Sequence, residues 1–192
     1  MISKANIKKA RVQMPKAHHL FTVTQWLLNA GMLFSLFLTA VLVLALGACV
    51  LAGVGLIHLP IPAQDLKDIQ NIPLSLLLTA GAVACASGVF LVGLLALVLL
   101  MTARIVKTAE QDPFVADNAR RLMQIAWLLL AMQVVGLAAD TVMSLFPKDV
   151  SDRVHAGFDL SPIGILAVLL IFVLAQIFRR GSEMRAELEG TV

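Results

Sequence analysis

The chain has 192 residues, of which 59% are hydrophobic and only 14% charged, and its formal net charge is +3. A soluble domain carries about 25% charged residues, so this composition excludes an ordinary water-soluble globule. The apolar residues are also grouped into four long stretches without Asp, Glu, Lys or Arg. These stretches lie between Lys16 and Asp65, Asp68 and Arg104, Arg121 and Asp140, and Asp159 and Arg179. Each can hold the roughly 20 apolar residues that cross a bilayer as a helix.

The four stretches predict an all-α fold, an integral membrane four-helix up-down bundle. A single membrane domain covers residues 1–192, because the charged segments are too short to form a soluble domain. We expect a basic N-terminus over 1–20 and a tail over 181–192. The spans are expected at about 25–57, 72–106, 120–146 and 161–180.

Turn and cap residues refine the helix ends. The first apolar stretch exceeds the ~30 Å hydrocarbon core, so the first helix must tilt, bend or protrude. The second helix is expected to continue to Thr108 or Glu110. Asp112-Pro113 and Ser161-Pro162 each combine an N-cap residue with proline at the first helical position, which predicts the starts of the last two spans. Residues 148–159 are expected to form a loop.

The distribution of basic residues predicts the orientation. Twelve of the fifteen Lys and Arg residues lie in the N-terminus, the connection between spans two and three, and the tail. Basic residues near span ends stay in the cytoplasm, so both termini and this middle connection are expected inside. Trp26 and Trp127 fall at the same predicted boundary, where amphipathic rings prefer to lie.

A few polar residues lie within the predicted spans, close to the inner boundary of all four. We interpret this intramembrane polar ring as a set of hydrogen bonds between helices that fixes their rotation. The alternative is a wetted cytoplasmic vestibule that a ligand or partner enters. Gln133 lies deeper, and we expect it to bond to a neighbouring helix. The ring consists of Asn29, Thr102, Gln124 and Gln176.

Residues that could carry chemistry are few. Asp140 falls near the outer end of the third span, and we interpret it as a solvated carboxylate; an outer ligand site or a proton-linked role is the alternative. Cys49 and Cys85 are expected at unmatched depths, without a disulfide. No activated-nucleophile motif, metal-ligand spacing or nucleotide-binding loop occurs. We therefore predict no enzymatic activity, no cofactor and no metal site.

Small residues spaced four apart indicate close approach between helices. We favour packing within one chain, although the same spacing allows a homo-oligomer. The pairs are Ala48 and Ala52, Cys49 and Gly53, and Ala84 and Gly88.

Two segments resemble a family of bacterial membrane proteins with about four spans, domain of unknown function 2975 (DUF2975). The first segment contains Asp112-Pro113-Phe114-Val115, Asn118, Arg120-Arg121-Leu122 and Ile125-Ala126-Trp127. The second contains Leu166-Ala167-Val168-Leu169, Leu174 to Gly181, Met184-Arg185 and the closing Thr191-Val192.

The resemblance implies a bacterial inner-membrane location and a partner, because genes of this family often lie beside one for a small helix-turn-helix regulator. We therefore expect a non-enzymatic membrane partner of such a regulator, which does not itself bind nucleic acid. The alternatives are a small channel or transporter subunit and a structural subunit of a membrane complex. The residues expected to bind the partner are Asp112, Pro113, Phe114, Asn118, Arg120, Arg121, Arg179, Arg180 and Arg185.

Overall fold

A computed structural model describes residues 15–56, 72–109, 114–154 and 161–190, with side chains from Thr22 onward except those of Arg153 and Glu189. All regular structure in these residues is helical, as predicted. The basic N-terminus as far as Met14, the connection at 57–71 and the Asp112-Pro113 pair lie outside the described residues. The helices are α1 (Pro15–Gly53), α2 (Leu74–Ala109), α3 (Ala116–Met143), α4 (Lys148–Val154) and α5 (Pro162–Gly190).

Four of these helices are long and apolar enough to cross a membrane, which makes the fold compatible with a membrane helical bundle. Many of their large apolar side chains are exposed; Leu33 and Leu170 are 73% and 60% exposed. In α1, Ser35 is the only buried residue among those whose side chains are described. Lipid therefore has to solvate most of the surface, and a helix suits lipid because it satisfies its own backbone hydrogen bonds.

The extensive helix contacts follow the order of the chain. α1 packs on α2, α2 on α3, and α3 on α5, whereas α1 and α5 share no extensive interface within the described residues. Glycines on α2 let α1 approach closely, and the side chains that cover them show which residues of the two helices lie side by side. A Cβ atom at Gly88 would lie 3.3 Å from Leu42, and one at Gly81 would lie 3.5 Å from the sulfur of Cys49.

The structure places one of the two predicted proline starts correctly. α5 begins at Pro162, and the backbone N–H of Gly164 donates to the hydroxyl of Ser161 at 3.4 Å. α2 ends at Ala109, within the expected range. The predicted start of the third helix at Pro113 is wrong, because Val115 is extended and α3 begins at Ala116. This delay leaves Phe114 outside the helix, where its ring can reach α5.

The short helix α4 occupies part of the segment that was expected to be a loop, so that expectation is wrong for Lys148–Val154. The carbonyl of Pro147 accepts hydrogen bonds from the backbone N–H groups of Val150 and Ser151, which starts the helix. Val150 is fully buried in one cluster with Ala80 and Met143. Burial of this side chain against the ends of α2 and α3 explains why the segment folds.

The α1–α2 register gives a direct test by cross-linking. In a Cys85→Ala background, we expect Gly81→Cys to form a disulfide with Cys49 in the full-length protein, because the new Cβ would lie 3.5 Å from the Cys49 sulfur. Non-reducing mass analysis of a proteolytic digest detects the linked peptides. The matched control is Gly93→Cys in the same background, since a Cβ there meets nothing within 4 Å. Equal cross-linking of both variants would contradict this register.

Candidate functional site

The end of α2, the start of α3 and the last part of α5 lie together, and we call this region the basic end. Contacts of Thr108 with Asn118 and of Phe114 with Phe178 hold the three helices there. The region concentrates positive charge, because most of the charged side chains in these helices are arginine or lysine. Its basic residues are Arg104, Lys107, Arg120, Arg121, Arg179, Arg180 and Arg185.

A polar cluster joins α2 to α3 at the basic end. Asn118 is fully buried, and its Oδ1 atom accepts a hydrogen bond of 2.6 Å from the hydroxyl of Thr108. The guanidinium of Arg121 donates to the same Asn118 oxygen at 3.2 Å and to the Thr108 oxygen at 3.3 Å. It also reaches the carbonyl oxygen of Arg104 at 3.5 Å. The cluster thus ties together two helices and places a positive charge near the C-terminus of α2, where the helix dipole favours it.

An aromatic contact joins the start of α3 to the last part of α5. The rings of Phe114 and Phe178 have centroids 5.3 Å apart. The ring of Phe114 also lies over Gly181, where an added Cβ would approach its Cδ1 atom to 2.8 Å. Only glycine leaves room for the ring at this position. The two sequence segments that resemble the family are therefore in contact.

A pocket of about 360 Å³ lies between α3 and α5 at the basic end. Arg120 and Gln124 reach it from α3, and Gln176 and Arg179 reach it from α5. All four side chains are exposed, and none of the side chains that line the pocket is a carboxylate. Arg179 also pairs with Glu183 at 3.6 Å on the solvent-facing side of its helix. The pocket offers positive charge and amide donors to a ligand.

The structure brings together only half of the predicted polar ring. Gln124 and Gln176 line the same pocket, but Asn29 and Thr102 do not. The hydroxyl of Thr102 donates to the carbonyl of Val98 on its own helix at 2.8 Å, and Asn29 is exposed. Gln133 does touch α5, at Gly164, where a Cβ would overlap its amide group. It forms no hydrogen bond within the described residues, so the expected bond between helices is not found there.

The residues expected to bind a partner separate into three groups. Arg121 donates a hydrogen bond to Asn118 within the α2–α3 cluster, and Asn118 has no exposed surface that a partner could contact. Arg120 and Arg179 face the pocket. The remaining described members, Phe114, Arg180 and Arg185, are exposed at the basic end, and their role in partner binding stays a prediction.

Four residues that contribute to the basic end were given no structural role by sequence reasoning. Thr108 reads as an ordinary helix-end residue, although it donates to the buried Asn118. Gly181 lies inside α5, which continues to Gly190, and its missing side chain leaves room for the ring of Phe114. The exposed apolar residues Met184 and Leu188 were hidden by the alternating charges around them. Their four-residue spacing was the available signal, because it places both on one helix face.

The opposite end of the molecule contains no metal-binding group of three or more His, Cys, Asp or Glu residues, as far as the structure describes the chain. Asp140 lies near the end of α3 and lines a pocket of about 390 Å³ together with Lys148 and Asp152. Cys49 lies against Gly81, which is one helical turn from Cys85 along α2. Both thiols are free.

Comparison with known families assigns most of the chain to one family. A family described as "Protein of unknown function (DUF2975)" matches residues 58–192. The chain belongs to the DUF2975 family. The matched DUF2975 region includes α2 to α5, and with them the described part of the basic end, whereas α1 lies before it. The resemblance seen in the two sequence segments is therefore confirmed. No curated protein and no solved structure matches the chain.

The buried amide of Asn118 predicts a loss of stability on truncation. We expect Asn118→Ala to lower the free energy of unfolding by about 1–3 kcal/mol, because Thr108 and Arg121 lose their shared acceptor. Thermal or denaturant unfolding of the purified protein in detergent measures the change. The control is Asn29→Ala, at an exposed amide, where we expect a change within about 0.5 kcal/mol. Equal losses at the two positions would refute a special role for the cluster.

The contact of Phe114 with Gly181 predicts a local effect. Gly181→Ala would push a Cβ to 2.8 Å from the Phe114 ring, so the ring or the helix must shift. We expect opening of the α5 tail to become easier by about 1 kcal/mol, which raises amide exchange over residues 182–190 roughly fivefold. Hydrogen–deuterium exchange measures it, with Gly93→Ala as the control because that position has open space. Unchanged exchange in Gly181→Ala would show that the contact does not restrain the tail.

Proposed function

We propose that this DUF2975 protein is a bacterial inner-membrane protein with four spans in up-down order, and that it binds and modulates a small cytoplasmic helix-turn-helix regulator without catalysing a reaction. The excess of basic residues at the basic end supports an orientation with this end and both termini in the cytoplasm. The class of regulator is the one that the family resemblance implies. The contact surface is argued from the exposed residues of the basic end.

The observation that carries the proposal is an exposed apolar surface beyond the spans, which we call the tail stripe. It consists of Phe114, Met184 and Leu188, and Gly181 joins it to the start of α3. Met184 is 61% exposed and Leu188 is 70% exposed. Positions 181, 184 and 188 follow helical spacing, so they continue the face of α5 on which Phe114 packs.

The tail stripe is distinct from the lipid-facing surface of the spans because charged residues surround it. Ionised side chains are costly in hydrocarbon, so this part of α5 belongs in water or at the headgroup level. An apolar surface in water is typical of a site for another protein. The neighbouring charges are Arg179, Arg180, Glu183, Arg185 and Glu187.

The proposed modulation requires only binding. A regulator bound to the tail stripe is no longer free to bind DNA. The concentration of free regulator is then set by mass action. Two contacts hold this surface in place: the ring of Phe114 connects the tail to the start of α3, and the buried cluster at Asn118 connects α3 to α2.

The transport alternative has less support. A vestibule would need the four polar residues of the ring to line one space, whereas Gln124 and Gln176 share a pocket without Asn29 or Thr102. Charged residues within the spans usually mark ion or solute pathways, and the central parts of the helices are almost free of them.

The proposal is tested by substitution of the tail stripe. An affinity tag inserted in the connection at 57–71 leaves the basic end free, and cross-linked partners from native membranes are identified by mass spectrometry. We expect a small helix-turn-helix protein at near-stoichiometric yield, and at least a tenfold lower yield from the double variant Met184→Ser/Leu188→Ser. This loss corresponds to about 1.4 kcal/mol, which is modest for two apolar contacts.

The matched control changes the same helical segment on charged positions. Glu183→Ser/Glu187→Ser should retain the regulator, because the apolar side chains stay in place. Equal loss from both double variants would indicate general disruption of the tail. Recovery of the protein alone from the wild type would refute the proposed function and favour transport, to be examined by flux into liposomes.

A further inference from the structure

We propose that the pocket between α3 and α5 binds the phosphate group of an anionic membrane lipid. The shared chemistry is a phosphate ester held by two guanidinium groups and two side-chain amides. These groups belong to Arg120 and Gln124 on α3 and to Gln176 and Arg179 on α5. This site would be separate from the tail stripe and does not depend on a protein partner.

The first argument is the arrangement of donors. Arg120 and Gln124 are four residues apart, and Gln176 and Arg179 are three apart, so each pair lies on one helix face. Both pairs face one pocket of about 360 Å³, within the range of about 300–1,000 Å³ that is typical of small-molecule sites. The floor is formed by the small side chains of Ala119 and Ala175, both of which are buried. A headgroup can therefore enter between the helices.

The second argument is charge. Arginine presents planar donors that match phosphate oxygens in a bidentate manner. The nearest carboxylate with a described contact is Glu183, which lies 3.6 Å from the Nε atom of Arg179. Both side chains of that pair are exposed, so solvent weakens their attraction. Asp117 is also exposed one turn from Arg120 but does not line the pocket.

The third argument is depth. Gln124 and Gln176 lie about one turn further into the apolar part of their helices than the arginines. Both amides are exposed, and neither forms a hydrogen bond within the described residues. An amide without a partner is costly at the edge of the hydrocarbon, so an acceptor from the lipid would stabilise it.

The fourth argument distinguishes a lipid from a soluble phosphate compound. The pocket opens toward apolar surface and not only toward water, because exposed apolar side chains continue from it along both helices. Trp127 lies one turn from Gln124 and packs edge-on against Phe172 at 5.6 Å, and Ile177 is exposed beside Gln176. Acyl chains can lie against this surface while the phosphate occupies the pocket. Basic pockets between spans at the cytoplasmic side are typical sites for anionic headgroups.

The test is native mass spectrometry of the full-length protein in a non-ionic detergent with three probes. These are dioleoyl-phosphatidylglycerol, dioleoyl-phosphatidylcholine and glycerol 3-phosphate. We expect phosphatidylglycerol to bind about tenfold more tightly than phosphatidylcholine, and Arg120→Gln/Arg179→Gln to abolish most of this preference. The charge-matched control, Arg104→Gln/Arg180→Gln, removes two arginines of the basic end that do not line the pocket and should retain the preference.

Three outcomes would overturn the proposal. Equal losses in both double variants would mean general attraction to a basic surface. Tight binding of glycerol 3-phosphate would identify a soluble phosphate compound as the ligand. Absence of any preference in the wild type would exclude the site. If Arg120→Gln/Arg179→Gln does not fold, Gln124→Leu/Gln176→Leu serves instead, since leucine suits this depth, and an unchanged preference in that variant also counts against the site.

Discussion

The buried amide oxygen of Asn118 is the acceptor on which the arrangement at the basic end depends. Two donors from different positions, the hydroxyl of Thr108 and the guanidinium of Arg121, converge on it. A helix pair in lipid gains little from exclusion of water, so polar contacts and close packing have to fix its geometry. Because α3 contacts both α2 and α5, the position of α3 sets the positions of its neighbours as well.

Close packing in this protein depends on residues with little or no side chain. Leu42 packs over Gly88, the sulfur of Cys49 lies against Gly81, and the amide of Gln133 covers Gly164. At the basic end the same principle places the ring of Phe114 on Gly181. Each contact substitutes van der Waals packing for the hydrophobic driving force that soluble helices use. The large apolar side chains are then left to face lipid.

The sequence was sufficient for the parts of the fold that depend on local composition. Long uncharged stretches predict the apolar helices, and Ser161-Pro162 predicts the start of α5. Features that depend on contacts between distant residues were beyond it. The extended backbone at Val115 follows from the reach of Phe114 to Phe178, and α4 forms because Val150 is buried against Ala80 and Met143. The same holds for the candidate site. The sequence identifies Gln124 and Gln176 as polar residues within the spans, but no sequence pattern shows that these two share a pocket that excludes Thr102.

The continuity of α5 has a mechanical consequence. It contains 29 residues from Pro162 to Gly190 without a break, so it is about 43 Å long. An uninterrupted helix of this length acts as a stiff rod, and a tilt of a few degrees at one membrane surface displaces its other end by several ångström. The ring of Phe114, at the start of α3, packs against this helix at Phe178 and Gly181. A change in the tilt of α5 therefore moves its last helical turns relative to the start of α3, which contacts the helix at Gly181.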